Sequence, residues 1–118
     1  LPSLVAAATK VAGLNVVAVN IDQDVNAEQL KALTAAASEQ LGADSVVILG
    51  AAISNKPLAM IAAGIAAQRQ GVRAGDLAKI AAAALGGGGG GKADFAQGGG
   101  TDSSKLAKAI QEAVAAIK

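Results

Sequence analysis

Six consecutive glycines, Gly86 to Gly91, followed at once by Lys92, constrain this chain more than any other feature. Glycine loses more backbone entropy on ordering than any other residue, so an ordered tract of this kind needs a compensating interaction. Nine of the fifteen residues from Gly86 to Gly100 are glycine. Two readings stand side by side. One is a flexible glycine-rich linker. The other is a ligand loop whose bare main-chain N–H groups approach an anion or a ribose-phosphate. The tract lies between two amphipathic segments within one domain and includes Phe95, an apolar group that a spacer does not need.

The flanking sequence predicts a mixed α+β domain of the α/β class. Pro2 and Ser3 start a helix through about Ala12, with Gly13 in the stop position. Val16 to Ile21 is β-branched and apolar on both faces, the pattern of a strand covered from both sides. Asn26 and Gln29 have capping-box spacing, and Leu30, Leu33, Ala37 and Leu41 recur at helical intervals up to Gly42. Ser45 to Ile53 and Leu58 to Ile65 form two further strands, joined as a hairpin by the turn Ser54-Asn55-Lys56-Pro57. The first two strands flank a helix, which implies a parallel pair through a right-handed βαβ crossover. A helix from about Asp76 to Leu85 ends at Gly86, and a last helix capped by Thr101 or Asp102 turns Leu106, Ile110, Val114 and Ile117 inward. The expected architecture is a small mixed sheet of three to four strands, flanked by helices.

With 118 residues, the chain is expected to be a single globular domain over 1–118, with 1–13 as the remnant of a preceding helical segment. It opens Leu1-Pro2 without an initiator Met or a basic segment ahead of an apolar run. It therefore reads as a domain excised from a longer cytoplasmic protein. Its apolar runs fall short of the ~20 residues that span a bilayer, so no membrane partner is expected.

Composition closes off several chemistries. The chain has no Cys and no His, which removes thiolate or imidazole zinc sites, disulfides, and Ser-His-Asp or Cys-His nucleophiles. Asp22, Asp24 and Asp44 read as loop-solvating carboxylates, too few and too scattered for a metal site. Gly86, Gly91 and Lys92 match the spacing of a Walker A loop, but Ala93 stands where Ser or Thr must reach magnesium, and the run follows a helix. A nucleotide hydrolase is rejected on these grounds. With one Phe and no Trp or Tyr, base stacking on several rings is almost unavailable.

Charge is unevenly distributed. Residues 1–50 hold two Lys against five acids, whereas residues 51–118 hold eight Lys or Arg against four acids. Lys56, Arg69, Arg73, Lys79 and Lys92 face only Asp76 in their stretch; singly each reads as ordinary solvated surface, and as a group beside the glycine run they read as a phosphate-contact face. Lys105 and Lys108 stand near the start of the last helix, where its dipole disfavours cations. Gln97 either pins the loop's backbone or hydrogen-bonds a ribose hydroxyl or base edge. Phe95 reads as an anchor packing the loop onto the sheet.

The segment from Gly71-Val72-Arg73-Ala74-Gly75-Asp76-Leu77 through the glycine run to Lys92-Ala93-Asp94-Phe95-Ala96-Gln97-Gly98-Gly99-Gly100 resembles the C-terminal (C-Ala, DHH-associated) domain of the alanyl-tRNA synthetases. The resemblance covers roughly residues 10–118. It is also similar to the domain attached to DHH-type phosphoesterases, whose loop carries a histidine that this chain lacks. The synthetase resemblance implies a non-catalytic tRNA-binding module that contacts the outer corner of the L-shaped tRNA and supports aminoacylation and editing. The implied tRNA-binding residues are Gly86, Gly87, Gly88, Gly89, Gly90, Gly91, Lys92, Gln97, Gly98 and Gly99, with Arg69 and Arg73. The implied partners are tRNA and the rest of a parent ligase. This fragment needs no cofactor; the parent would use ATP, magnesium and zinc. The alternatives are a substrate-binding domain of a phosphoesterase and a structural dimerisation module, and self-association stays open.

Overall fold

The computed structural model describes residues 7–21 and 24–117. Strands β1 (Thr9–Val11) and β2 (Leu14–Ile21) lead into helix α1 (Ala27–Leu41), followed by β3 (Ser45–Ile53) and β4 (Lys56–Ala63). Then come α2 (Ile65–Arg69), α3 (Ala74–Leu85), β5 (Gly89–Gly91), β6 (Phe95–Gly99) and α4 (Leu106–Ala115). The six strands form one sheet in the order β1-β2-β3-β4-β6-β5. Only the β2–β3 pair is parallel, and it is joined through α1 as the crossover expectation requires.

Helices cover both sides of the sheet centre, so β3 and β4 are buried on both faces. Val46, Ile48, Ala59 and Ile61 face α3 and α4 in one core, with Leu77, Ala78, Ala81, Leu106 and Ile110. Val47, Leu49, Met60 and Ala62 face α1 in the other, against Leu30 and Ala37. This two-sided burial explains why those strands lack a polar alternation.

Local chemistry sets the boundaries. The Asn26 side chain accepts from the Gln29 N–H at 2.7 Å and the Gln29 side chain accepts from the Asn26 N–H at 2.9 Å, completing the capping box. Ser54 and Asn55 have φ of 52° and 66°, the pair of positive values that a two-residue hairpin between β3 and β4 needs. Helix α3 ends in a Schellman arrangement. Gly86 has φ 79°, its N–H donates to Ala83 O at 3.3 Å, and that of Gly87 donates to Ala82 O at 2.9 Å.

Four expectations change. The sheet has six strands rather than three to four, because the glycine segment and the N-terminal stretch both join it. Thr9–Val11 is an edge strand paired with β2, not the end of a helix; residues 1–6 of that expected helix lie outside the described residues. The strand expected to reach Ile65 stops at Ala63: the Gly64 N–H makes a last rung to Ser45 O, but its C=O accepts from the Gln68 N–H as the N-cap of α2, which Ile65 opens. Helix α3 begins at Ala74, not Asp76, because β6's turn supplies acceptors for its first amides.

Asp102 caps a 3-10 turn, Ser103–Lys105, that runs into α4. The Ser104 hydroxyl donating to the Asp102 carboxylate holds that acid below its ordinary range. The cap therefore persists above the ordinary carboxylate pKa and is lost as pH falls through the lowered value. Removing the α1 cap by Asn26→Ala is expected to cost about 1 kcal/mol of unfolding free energy. Urea denaturation checks this, and an unchanged midpoint would contradict it.

Candidate functional site

The glycine run is neither a linker nor a loose loop. Gly89–Gly91 and Phe95–Gly99 pair as an antiparallel hairpin, with Gly89 opposite Gly98, Gly90 opposite Gln97 and Gly91 opposite Ala96. Strand β6 continues onto β4, with Met60 opposite Gln97 and Ala62 opposite Phe95. This makes β5 an edge of the sheet.

Helix α3 lies on one face of this hairpin at a distance that admits no side chain. A Cβ at Gly98 would stand 2.5 Å from Ala78 O and 3.0 Å from the Ala82 Cβ. One at Gly89 would stand 2.6 Å from the Gly98 Cα and 2.9 Å from Ala78 O. The start of α3 is bound to the hairpin turn, where the Ala74 N–H donates to Ala93 O at 2.9 Å and the Gly75 N–H to Lys92 O at 3.0 Å. Asp76 and Leu77 N–H groups donate to Arg73 O. The first turn of α3 therefore has its amides filled and offers no helix-terminal anion site. The compensation for ordering the tract is docking against α3.

The hydrogen-bonded pairs flanking the ladder are Lys92 with Phe95 (3.0 Å) and Gly88 with Gly99 (3.2 Å). Bonded pairs alternate in an antiparallel ladder, so Gly89 and Gly91 turn their N–H groups away from β6, toward the edge. Both are exposed.

The opposite face of the hairpin is uncovered. A cleft of about 430 Å³ opens there, lined by Gly90, Gly91, Lys92, Asp94, Phe95 and Gln97, with Lys31 of α1 on its far side. Phe95 packs partly against the α1-side core, as its anchor role requires. The Gln97 side chain is exposed and makes no hydrogen bond among the described residues, so it does not pin the loop. The Lys92 N–H donates to Phe95 O and its C=O accepts from the Gly75 N–H of α3, which leaves its exposed side chain as the group available to a ligand. Lys79 comes from α3, its Cε 3.7 Å from where a Gly90 Cβ would sit.

The structure divides the remaining predicted residues. Gly86 caps α3, Gly87 completes that cap and Gly88 is exposed. Exposed Arg69 ends α2, and exposed Arg73 precedes α3, whose first amides bond the Lys92 end of the hairpin. Lys56 starts β4 at the opposite end, beside Ile53, and does not join them. Asp44 is more than a loop-solvating acid, since its carboxylate accepts from the Asn15 amide at 3.3 Å. Asp22 lies outside the described residues. Lys31 was not among the expected site residues. The signal that could have found it is its place next to Leu30, the buried residue that orients α1.

The DHHA1 domain model matches residues 13–118. The chain belongs to this family. Alanine–tRNA ligases of Acidothermus cellulolyticus and Paenarthrobacter aurescens are 42% and 43% identical to it, over 99% and 98% of its length. The chain spans 13% of the length of each of these curated relatives. The fold matches the crystal structure of the C-Ala domain from Aquifex aeolicus alanyl-tRNA synthetase, with TM-score 0.81 and 24% identity, over 93% of this chain and 96% of that one. The resemblance seen in the sequence is thus to the same domain type. Among the described residues of this DHHA1 domain, no helix is long and apolar enough to cross a membrane.

The docking of α3 makes the glycines unequal. Gly98→Ala is expected to lower unfolding free energy by about 1–3 kcal/mol through overpacking against α3. Gly88→Ala, with nothing within 4 Å of its Cβ position, should stay within about 0.5 kcal/mol of the parent. Parallel denaturation curves measure both, and equal losses would contradict the account.

Proposed function

We propose that this domain is a non-catalytic tRNA-binding module of an alanine–tRNA ligase, contacting the outer corner of tRNA through shape and phosphate contacts. In that role it supports aminoacylation and editing carried out elsewhere in a cytoplasmic parent chain. The observation that carries the reading is the uncovered glycine hairpin, a flat main-chain surface with Lys92 and Lys79 beside it. A surface without side chains lets a sugar-phosphate backbone come close, and lysines beside it supply charge without reading sequence. Asp94 and Gln97 offer acceptors for a ribose 2′-hydroxyl, the group that distinguishes RNA from DNA. A single half-buried Phe95 is too little for serial base stacking.

The parent's ATP, magnesium and zinc chemistry belongs outside this chain. The donor set here does not fit those metals: there is no Cys or His, and among the described residues no three His, Cys, Asp or Glu side chains converge. The domain itself is expected to leave mischarged tRNA unhydrolysed.

The test is a binding titration of the chain with a tRNA transcript, the same transcript with its elbow interactions broken, and DNA of equal length. Expected are affinity in the micromolar range for the intact tRNA, a steep loss with salt, and weaker binding of the other two. Lys92→Ala should weaken binding of many tRNAs alike and lower the salt slope by about 1. Equal affinity for intact tRNA, elbow-broken tRNA and DNA would overturn the shape-based reading.

A further inference from the structure

The hairpin has two faces, and only one can receive a ligand. On the α3 side, Ala78 and Ala82 lie against Gly89 and Gly98 with no space between them. On the other side α1 packs over β3 and β4 and leaves the hairpin bare, so the cleft runs between α1's flank and the glycine floor. Lys31 stands on that flank, exposed, with Lys92 among the residues of the hairpin wall. The backbone beneath Lys31 is held firmly. The preceding residue Leu30 is fully buried, and the Asn26–Gln29 capping box fixes the turn before it.

Electrostatics gives Lys31 a specific task. Asp94 lies in the same cleft, so Lys92 alone would leave the cleft without net charge. Lys31 makes the balance positive, two cations against one carboxylate, with each cation on a different wall. Arg69 at the end of α2 and Arg73 at the start of α3, by contrast, do not line the cleft.

Resting on the tRNA-binding reading, we propose that Lys31 is a phosphate-contacting residue of this site. The RNA backbone then crosses the α1 side of the hairpin, between Lys31 and Lys92, rather than following Arg69 and Arg73. The crossover helix is in this way one wall of the binding site as well as a core element.

The test compares tRNA binding by the wild-type chain with Lys31→Ala, Lys31→Arg, Lys92→Ala and Lys10→Ala across a salt titration, using fluorescence anisotropy. Lys10 lies on β1, at the other edge of the sheet, and serves as the control. Lys31→Ala is expected to weaken binding about three- to ten-fold at low salt and to lower the slope of log affinity against log salt by about 0.7–0.9. Lys31→Arg should retain most of the affinity and Lys10→Ala should match wild type. Thermal midpoints should not move, since Lys31 is exposed, and a role confined to folding would leave the salt slope unchanged. If Lys92→Ala weakens binding while Lys31→Ala leaves affinity and slope intact, the Lys31 assignment fails and the tRNA-binding reading survives. If the wild-type chain shows no salt-dependent binding to tRNA, the reading itself fails, and the assignment with it.

Discussion

The structure depends on one contact: a helix laid directly on a strand that has no side chains. Helix α3 is fastened to the glycine segment at both ends. Its first amides donate to Lys92 O and Ala93 O, and its last carbonyl, Leu85 O, accepts from Thr101 and Asp102 as the chain returns. The lengths agree. Twelve helical residues rise about 18 Å, and the five residues from Gly88 to Lys92 that pair with β6 and its flank cover about 17 Å. The paired segment is about as long as the helix it must lie against. An alanine-rich α3 completes the fit, because its own thin side chains allow the approach from the other direction.

This contact changes what polyglycine means in this domain. As a linker it would be polar, mobile and indifferent to its neighbours. Docked on α3 and paired with β6, it becomes a fixed edge of the sheet whose remaining face presents main chain. The entropy lost in ordering it is offset by hydrogen bonds and close packing within the domain, with no ligand required. The filled amides at the start of α3 also move the candidate site away from the helix terminus, which a phosphate loop would have used, and onto the cleft beside Lys92.

Where the sequence was legible, side chains carried the signal. The Asn26–Gln29 spacing, the leucine stripe of α1 and the two-sided apolar runs of β3 and β4 each encode structure through what their side chains must bury or bond, whereas β2, expected to be covered on both faces, leaves Ala18 and Asn20 exposed. Strand β5 could not be read this way, because periodicity needs side chains and Gly89–Gly91 has none. Strand β1 failed for another reason. At three residues it is too short for a pattern, and its neighbours Ala7 and Ala8 read as helix by propensity. Ile65 continues a strand pattern on paper, whereas Gly64 caps α2 and the chain turns there, with the Ala66 N–H donating to Ala43 O and the Gln68 N–H to Gly64 O. Gly90, Gly91, Lys92 and Gln97 are close in sequence and the hairpin keeps them close in space, along one cleft. Lys31 was invisible to that logic.

The same limit applies to charge. Divided by sequence, residues 1–50 carry a net −3 and residues 51–118 a net +4, which points to the second half as the anionic partner's whole contact surface. The fold does not respect that division. The parallel β2–β3 crossover sets α1, from the acidic half, over the sheet centre and beside the hairpin from the basic half. The β3–β4 hairpin sets Lys56 at the far end of β4, away from the cations that neighbour it in sequence. At a Debye length of about 8–10 Å, an exposed phosphate responds to the few charges within reach and not to a half-chain total. The cleft's positive balance therefore arises from topology: one lysine comes from the acidic half, and a lysine and an aspartate come from the hairpin turn, a combination that neither half's net charge reveals.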